Sequence, residues 1–310
     1  MTKQSNFRSS YASPTSILVA TDLTEIDRLF PFALEQAQET GARLILLHVL
    51  TADVSITSDP SGLPFYDPAS AVFHAEQALE PYCMRARTAG VEASSLIREG
   101  SAPHQIEAAV SKLQVDRILM GTRSRGKLGK LLIGSVAEQV LRSVNIPVIT
   151  VGPEARPVVA EARRTVLLAT TLKEASRPSA ALACEIARLH HAPLIVMHVL
   201  SGFEVEADHK QAQEQLSGLL PEELRCECSA EVFVTSGNPA VEILAKASES
   251  NASLIVLSTT DRSGLRNLAS DSTIYRVLAH ARCPVMTLRQ CTLVEEEKSQ
   301  QKLATSSYKA

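Results

Sequence analysis

The sequence has no tryptophan, and aromatic residues make up only 4% of its 310 positions. A surface that stacks nucleic-acid bases needs aromatic side chains, so this scarcity argues against such a platform. The chain also has no large excess of charge of either sign, because it contains 31 Lys and Arg and 34 Asp and Glu, for a net charge of −3. A near-neutral chain has no general attraction to nucleic acids or anionic membranes. We therefore expect neither class of partner.

Long hydrophobic runs and paired cysteine motifs are missing as well. No stretch approaches the roughly 18 consecutive apolar residues that a membrane-spanning helix needs. The opening segment MTKQSNFRSSYASPTS is polar and lacks the apolar core of a secretory signal. None of the six cysteines forms a CxxC pair, and their spacing frames no zinc site. These absences predict a cytoplasmic protein with reduced thiols. A redox-sensing thiol is the alternative, and the spacing does not favour it.

The sequence contains an internal repeat, which agrees with the two domains expected for a chain of this length. Residues 118–151 align without gaps with residues 255–288, and eleven of the 34 aligned positions are identical. Shorter blocks also recur near the start of each copy, such as LILLHVL at 44–50 and LIVMHVL at 194–200. The repeated unit is too long for one supersecondary element of a solenoid. The sequence therefore predicts a duplicated domain.

Composition along the chain gives the expected domain boundaries, since the ends are polar and aperiodic and one middle segment is rich in proline and polar residues. We expect a disordered tail at 1–13, a first domain at 14–152, a linker at 153–163, a second domain at 164–290 and a disordered tail at 291–310.

Each copy alternates short β-branched runs with segments of helical periodicity, in the order βαβαβαβαβ. This order predicts a doubly wound, Rossmann-like α/β domain: a five-stranded parallel sheet in the order 3-2-1-4-5 with helices on both faces. The first copy carries 13 extra residues, most simply in the segment 51–69. That segment is either a cover or partner contact for a bound ligand or a plain surface loop.

The first copy contains a candidate anion site. Ligands of open parallel sheets bind at the carboxyl ends of the strands, where strand order reverses. Asp22 follows the first strand and Gly121 the fourth, and Gly134-Ser135 then opens a helix whose N-terminus favours an anion. The intervening loop carries four basic residues, Arg123, Arg125, Lys127 and Lys130. They suit a phosphate-bearing ligand.

Other interpretations of these residues stay open at this point. Ser135 could serve only as a helix N-cap, with Glu138 completing a capping box. Asp22 could cap the first helix, Gly121 could be a turn residue, and the basic residues could form a solvated loop. The run matches neither GxxxxGK[ST] nor GxGxxG.

At these residues the sequence resembles the universal stress protein family, whose ATP-binding members carry Gly-x2-Gly-x9-Gly-Ser/Thr after the fourth strand. Here the run is Gly121-x2-Ser124-x9-Gly134-Ser135, with serine in place of one glycine. The opening ILVATD, the middle HVL and the closing VAEQVLRSVNIPVITV also look like family blocks. The resemblance covers both copies and implies a tandem member with two domains of the adenine nucleotide alpha hydrolase-like fold.

The resemblance implies a role for each motif residue of the first copy, with ATP, alone or with Mg²⁺, as the ligand. Thr21 and Asp22 would face the adenosine, and Val49 would offer its backbone to the adenine. The remaining residues would line the ribose and phosphates: Gly121, Arg123, Ser124, Arg125, Gly134, Ser135 and Val136. Ser124 would either strain a left-handed backbone or add a phosphate contact.

The second copy has lost most of this pattern. Ser258 stands for Gly121, Asp261 for Ser124, Asp271 for Gly134 and Thr171 for Asp22. A carboxylate at the helix N-terminus can cap the helix itself and repels a phosphate from the same N–H groups. We therefore expect the second domain to bind no ATP and to act as a structural partner. The fifth strands, PVITV and PVMTL, would pair within the chain, and a homodimer is a further expectation.

Three function classes follow from these residues. The leading one is a cytoplasmic, ATP-binding stress protein that acts by ligand-dependent regulation, with slow or absent hydrolysis because no general base stands near the loop. The alternative is a nucleotide-independent scaffold or chaperone-like stress protein. An ATP-using adenylating enzyme is the third, but TDLTEID occupies the place of its SGGxDS-type loop.

Overall fold

Strands and helices alternate through both halves of the computed structural model. The model describes residues 11–51, 56–58, 64–122, 133–157, 164–200, 206–221, 229–259 and 272–289. The first half consists of β1 (Ser16–Thr21), α1 (Ile26–Thr40), β2 (Arg43–Leu50), β3 (Ile56–Ser58), β4 (Pro64–Tyr66), α2 (Pro68–Thr88), β5 (Ala93–Glu99), α3 (Ala102–Leu113), β6 (Arg117–Gly121), α4 (Ser135–Ser143) and β7 (Val148–Val151).

The second half repeats this succession. It consists of β8 (Thr165–Ala169), a 3₁₀ turn (Glu174–Ser176), α5 (Arg177–Leu189), β9 (Leu194–Leu200), α6 (Glu206–Leu219), β10 (Ala230–Ser236), α7 (Pro239–Glu249), β11 (Ala252–Thr259), α8 (Thr273–His280) and β12 (Val285–Arg289). Among the described helices, none is long and apolar enough to cross a membrane.

The main strands form one ten-stranded sheet, in the order β10-β9-β8-β11-β12-β7-β6-β1-β2-β5. Strand pairs within each half are parallel. Each half therefore has the order 3-2-1-4-5, and the predicted α/β fold is confirmed. The fifth strands, β7 and β12, pair antiparallel across the middle, as expected. Thr150 and Thr287 strengthen this seam, because each buried hydroxyl donates to a carbonyl of the opposite strand, at 3.1 and 3.3 Å.

Two hydrophobic layers cover the faces of the sheet, and each layer runs through both halves. Side chains alternate along β1, so Ile17 and Val19 enter one layer while Leu18 and Ala20 enter the other. Helices α1, α2, α5 and α6 bury Leu29, Leu79, Leu182 and Leu216 in the first layer. Helices α3, α4, α7 and α8 bury Ile106, Val140, Ile243 and Leu278 in the second. The strands are almost continuously apolar because helices cover both faces of the sheet.

Two segments differ from the sequence-based expectation. Part of the 51–69 segment is not a plain loop, because β3 and β4 form a two-stranded antiparallel ladder there. Residues 11–13, assigned to the N-terminal tail, include packed positions. Arg117 donates to the backbone carbonyls of Tyr11 and Ala12, at 2.7 and 3.3 Å, and Ala12 is buried. Residues 1–10, the 158–163 part of the linker and residues 290–310 lie outside the described residues.

Candidate functional site

A cavity of about 450 Å³ opens at the carboxyl ends of β1, β2 and β6 in the first half. β1 lies between β2 and β6. From β1 the sheet continues through β2 to β5 on one side and through β6 to β7 on the other, so this is the point where strand order reverses. Seven of the site residues predicted from sequence line it: Thr21, Asp22, Val49, Gly121, Gly134, Ser135 and Val136. The other three, Arg123, Ser124 and Arg125, lie outside the described residues, as do Lys127 and Lys130.

The connection after β1 holds Asp22 in a tight turn. The Asp22 carboxylate accepts hydrogen bonds from the backbone N–H and the hydroxyl of Thr24, at 3.0 and 2.7 Å. Thr21 Oγ1 accepts from the N–H of Leu23, at 3.0 Å, and Leu23 has a φ of 72°. Side-chain bonds to the following backbone stabilise such turns. Asp22 is not the N-cap of α1, because that position belongs to Glu25.

His48 joins β2 to the same turn and was missed in the sequence analysis. Its Nδ1 lies 2.9 Å from the carbonyl oxygen of Thr21, and only 8% of the residue is exposed. A carbonyl only accepts, so this geometry assigns the proton to Nδ1. His198 makes the same bond to Thr170 in the second half, at 2.8 Å. The recurrence indicates a structural role, which fixes the strand end where Val49 reaches the cavity.

Gly121, at the end of β6, allows a carboxylate to enter the cavity wall. Its φ is not in the left-handed region. A Cβ at this position would lie 2.4 Å from Glu25 Oε2, which is closer than van der Waals contact allows. Glu25 also forms an ion pair with Arg28, with Oε1 and Nη2 2.6 Å apart. Sequence reasoning missed Glu25, although an equivalent glutamate, Glu174, stands at the matching place in the second copy.

The N-terminus of α4 forms another part of the wall. Gly134 is the N-cap, and the described residues provide no side-chain cap for this helix. Ser135 is therefore the first helical residue rather than a cap. Glu138 pairs with Arg142 at 2.6 Å, so the described contacts provide no capping box. A helix start with free N–H groups and a positive dipole end is suited to an anion.

The end of β6 and the start of α4 are joined by a backbone hydrogen bond. The N–H of Gly134 donates to the carbonyl of Thr122, at 2.9 Å. Thr122 and Gly134, on either side of the undescribed residues 123–132, are therefore neighbours in space.

Residues at the matching positions of the second half bond to other side chains of their own half. Ser258 Oγ donates to the buried Ser179 Oγ at 2.9 Å, and Thr171 Oγ1 lies 3.0 Å from Ser176 Oγ. Ser272 caps α8 by accepting from the N–H of Tyr275, at 3.4 Å. The cap is thus Ser272 rather than Asp271, and Asp261 and Asp271 lie outside the described residues.

Comparison with known proteins identifies the family. The model of the universal stress protein family matches residues 15–152 and 162–289. The chain belongs to the universal stress protein family. Both halves match the same family model, so this universal stress protein is a tandem member. A universal stress protein of Mycolicibacterium smegmatis is 25% identical over 297 residues, which cover 90% of this chain and 98% of that protein.

Solved structures of universal stress proteins share the fold. The crystal structure of one from Archaeoglobus fulgidus DSM 4304 superposes with a TM-score of 0.71 at 22% identity, covering 90% of this chain and 98% of that chain. Another from Archaeoglobus fulgidus, solved in complex with dAMP, covers 40% of this chain and 97% of its own, with a TM-score of 0.32 and 23% identity. The nucleotide complex is a property of that protein.

Proposed function

We propose that the first half binds one ATP molecule and that the protein acts in the cytoplasm as a ligand-dependent regulator of a stress response. The observation that carries the proposal is the cavity at the strand-order reversal. It is lined by the turn after β1, the end of β2 and the start of α4, to which the described residues supply no side-chain cap. A nucleotide has an apolar base at one end and anionic phosphates at the other, and this wall offers a partner for each.

The adenine end of the proposed site combines apolar side chains with backbone polar groups. Ala20, Ile106 and Met120 line the cavity, and all three side chains are almost fully buried within the second hydrophobic layer. Val49 contributes the backbone at the end of β2, next to the fixed His48. Ligand pockets with mostly apolar walls and a few placed polar groups are typical of small-molecule sites.

The phosphate end of the proposed site is the start of α4. The N–H groups of the first helical turn need acceptors, and phosphate oxygens supply them. The sequence between Thr122 and Gly134, which are bonded to each other, contains Arg123, Arg125, Lys127 and Lys130. Their four positive charges match the charge of ATP, so they suit the triphosphate.

Mg²⁺ is an optional part of this proposal. Among the described residues, no group of three His, Cys, Asp or Glu side chains is placed to hold a metal ion. Mg²⁺ with a nucleotide usually needs few protein ligands, because phosphate oxygens and waters complete its octahedron. We propose that any Mg²⁺ arrives with the triphosphate.

Regulation fits the described side chains better than turnover. The cavity contains two carboxylates, Asp22 and Glu25, and both come from the turn after β1. Asp22 accepts bonds from Thr24, and Glu25 pairs with Arg28. A general base must be free to take a proton from the attacking water. We expect hydrolysis to be slow or absent.

Mass spectrometry of small molecules released from the purified full-length protein tests the proposal. We expect co-purified adenine nucleotide, or a rise in melting temperature on adding ATP to emptied protein. Protein that carries no nucleotide and gains no stability from millimolar ATP would contradict the proposal. Phosphate release measured on the same sample separates binding from turnover.

A nucleotide-independent scaffold is the second candidate, and one observation favours it. In the second half, Ser258 and Thr171 stand at the places of Gly121 and Asp22, and their hydroxyls bond to Ser179 and Ser176 respectively. The second half thus lacks two of the residues that line the cavity in the first. Suppression of aggregation of a client protein by nucleotide-free protein, unchanged by added ATP, would support this candidate.

A further inference from the structure

The same glutamate–arginine pair occurs in both halves, but its surroundings differ. Glu25 and Arg28 in the first half correspond to Glu174 and Arg177 in the second. Both pairs are three residues apart and in contact. The Glu25 side chain is 11% exposed and lines the cavity, whereas that of Glu174 is 79% exposed. One pair is therefore part of a binding wall, and the other is a surface ion pair.

Position 121 explains why the two pairs differ. Glycine there leaves room for the Glu25 carboxylate, since a Cβ would lie 2.4 Å from Oε2. The matching residue of the second half is Ser258, and its hydroxyl bonds to Ser179 at 2.9 Å. A side chain at this strand end is thus present in the half whose glutamate is exposed and absent in the half whose glutamate is mostly buried. Gly121 and an inward glutamate form one unit.

The strand order places this unit in the middle of the proposed nucleotide site. Val49 is the last but one residue of β2, Glu25 follows β1, and Gly121 ends β6. These three strands are neighbours in the order β2, β1, β6. Helix α4, which would hold the phosphates, follows β6. A nucleotide with its base at Val49 and its phosphates at α4 has its ribose between them. The ribose would then lie against Glu25 and Gly121.

We propose that the Glu25 carboxylate accepts hydrogen bonds from the vicinal hydroxyls of the ribose and so selects ribonucleotides over 2′-deoxyribonucleotides. The inference rests on the proposed nucleotide site and adds the residue that determines its sugar specificity. A carboxylate only accepts. Oε1 is buried against Arg28, so Oε2, which lies beside Gly121, is the oxygen that can receive the ribose hydroxyls, one on each lone pair. Arg28 holds the carboxylate from behind at 2.6 Å, which fixes its direction. A 2′-deoxyribonucleotide lacks the 2′-hydroxyl, so the Glu25 carboxylate would make one hydrogen bond fewer to it than to a ribonucleotide.

Dissociation constants of the full-length protein for ATP and 2′-deoxyATP test the inference. We expect the wild type to prefer ATP by about 10-fold or more, the order expected for one hydrogen bond to a charged acceptor. Glu25→Gln keeps the size of the side chain and removes its charge, and we expect it to lower the preference to about threefold or less. Glu174→Gln makes the same change in the second half and should keep the wild-type ratio.

Gly121→Ser provides an independent variant, because it copies Ser258 into the first half. Only the end of the flexible Glu25 side chain must move to admit the new Cβ, so the fold should be retained. We expect the displaced carboxylate to reduce both ATP affinity and the preference for ATP over 2′-deoxyATP.

Each outcome decides the inference. A wild type that binds both nucleotides equally overturns it and leaves the proposed ATP site standing. A Glu25→Gln variant that weakens both nucleotides by the same factor also overturns it, because a merely structural residue does not change the ratio. A wild type that binds neither nucleotide removes the proposed function and this inference together.

Discussion

Arg164 of the second half lies 2.7 Å from the Glu35 carboxylate of helix α1 in the first half, measured from Nη2 to Oε1. The other terminal nitrogen of Arg164, Nη1, contacts the carboxylate of Glu39 on the same helix. The three side chains border a cavity of about 50 Å³ between the halves, together with the buried Arg117 and with His190. Charged groups thus join the halves beside the antiparallel seam of β7 and β12. Predictions follow from this cluster, from the seam and from the α4 terminus.

Arg164→Met should destabilise the protein by about 1–2 kcal/mol, since it leaves two partly buried carboxylates without their shared partner. Chemical denaturation at neutral pH measures the change. Arg177→Met is the matched control, because Arg177 pairs with the exposed Glu174 within one half. It should leave the free energy of unfolding unchanged. Equal effects of the two variants would contradict a special role for the contact between the halves.

His190 should make stability depend on pH. Burial lowers the pKa of His190 below its ordinary value of 6.5, and the charges of Arg164, Arg117 and His191 act in the same direction. Glu39, whose Oε2 is 3.7 Å away, opposes them, but it is shared with Arg164. A lowered folded-state pKa means that the unfolded chain takes up a proton first, so this group costs stability as the pH falls below about 6.5.

Unfolding measured between about pH 7 and pH 5 checks this sign. His190→Gln should flatten part of the fall in stability on acidification. His104→Gln is a suitable control, because His104 is an exposed histidine on α3. An unchanged pH profile for His190→Gln would show that His190 does not contribute.

Gly152→Ala should disturb the contact between the halves. A Cβ there would lie 2.7 Å from the backbone carbonyl oxygen of Leu278 in α8, and a backbone atom cannot rotate away. We expect a loss of about 1–3 kcal/mol. Gly218→Ala in α6 is the control, because its Cβ would meet nothing within 4 Å. In a helix that change should be neutral or stabilising by up to about 1 kcal/mol. Thermal unfolding of both variants makes the comparison.

Gly134→Asp should separate stability from nucleotide binding. The N-cap backbone at φ −62° and ψ 147° suits aspartate, which is a slightly better capping residue than glycine, so the empty protein should gain about 0.3 kcal/mol. The same carboxylate would compete for the N–H groups of α4 and repel a triphosphate, and we expect ATP affinity to fall by about 10-fold or more. Calorimetric titration measures it. Ser272→Ala, at the cap of α8, should leave ATP affinity unchanged. Unaltered ATP binding by Gly134→Asp would place the phosphates elsewhere.

Periodicity was enough to predict the sheet, because each buried strand and each helix leaves its own pattern in the sequence. The pairing of β7 with β12 was expected from the resemblance to the family, in which fifth strands pair across domains. The Glu25–Gly121 contact did not follow, since it depends on a side-chain rotamer and on two segments 96 positions apart. Nor did the packing of Tyr11 and Ala12, because their partner, Arg117, is a buried charge in an otherwise apolar strand.

The structure also decides between alternatives that the sequence left open for Ser135. Serine is a preferred N-cap, which favoured Ser135, but the helix begins at Ser135 and its cap is Gly134. In the second half the homologous serine, Ser272, does cap its helix. The two copies thus start equivalent helices one residue apart, and the sequence alone contained no signal for that shift.

The antiparallel pairing of β7 with β12 has a consequence for how this molecule can change over generations. In a symmetric dimer of identical chains, every substitution appears in both subunits at once. Here the two partners across the pseudo-twofold axis are separate stretches of one gene product, always present in equal number. A substitution such as Ser258 can therefore alter one copy while Gly121 persists in the other. Fusion allows asymmetry inside an assembly whose backbone keeps its symmetry.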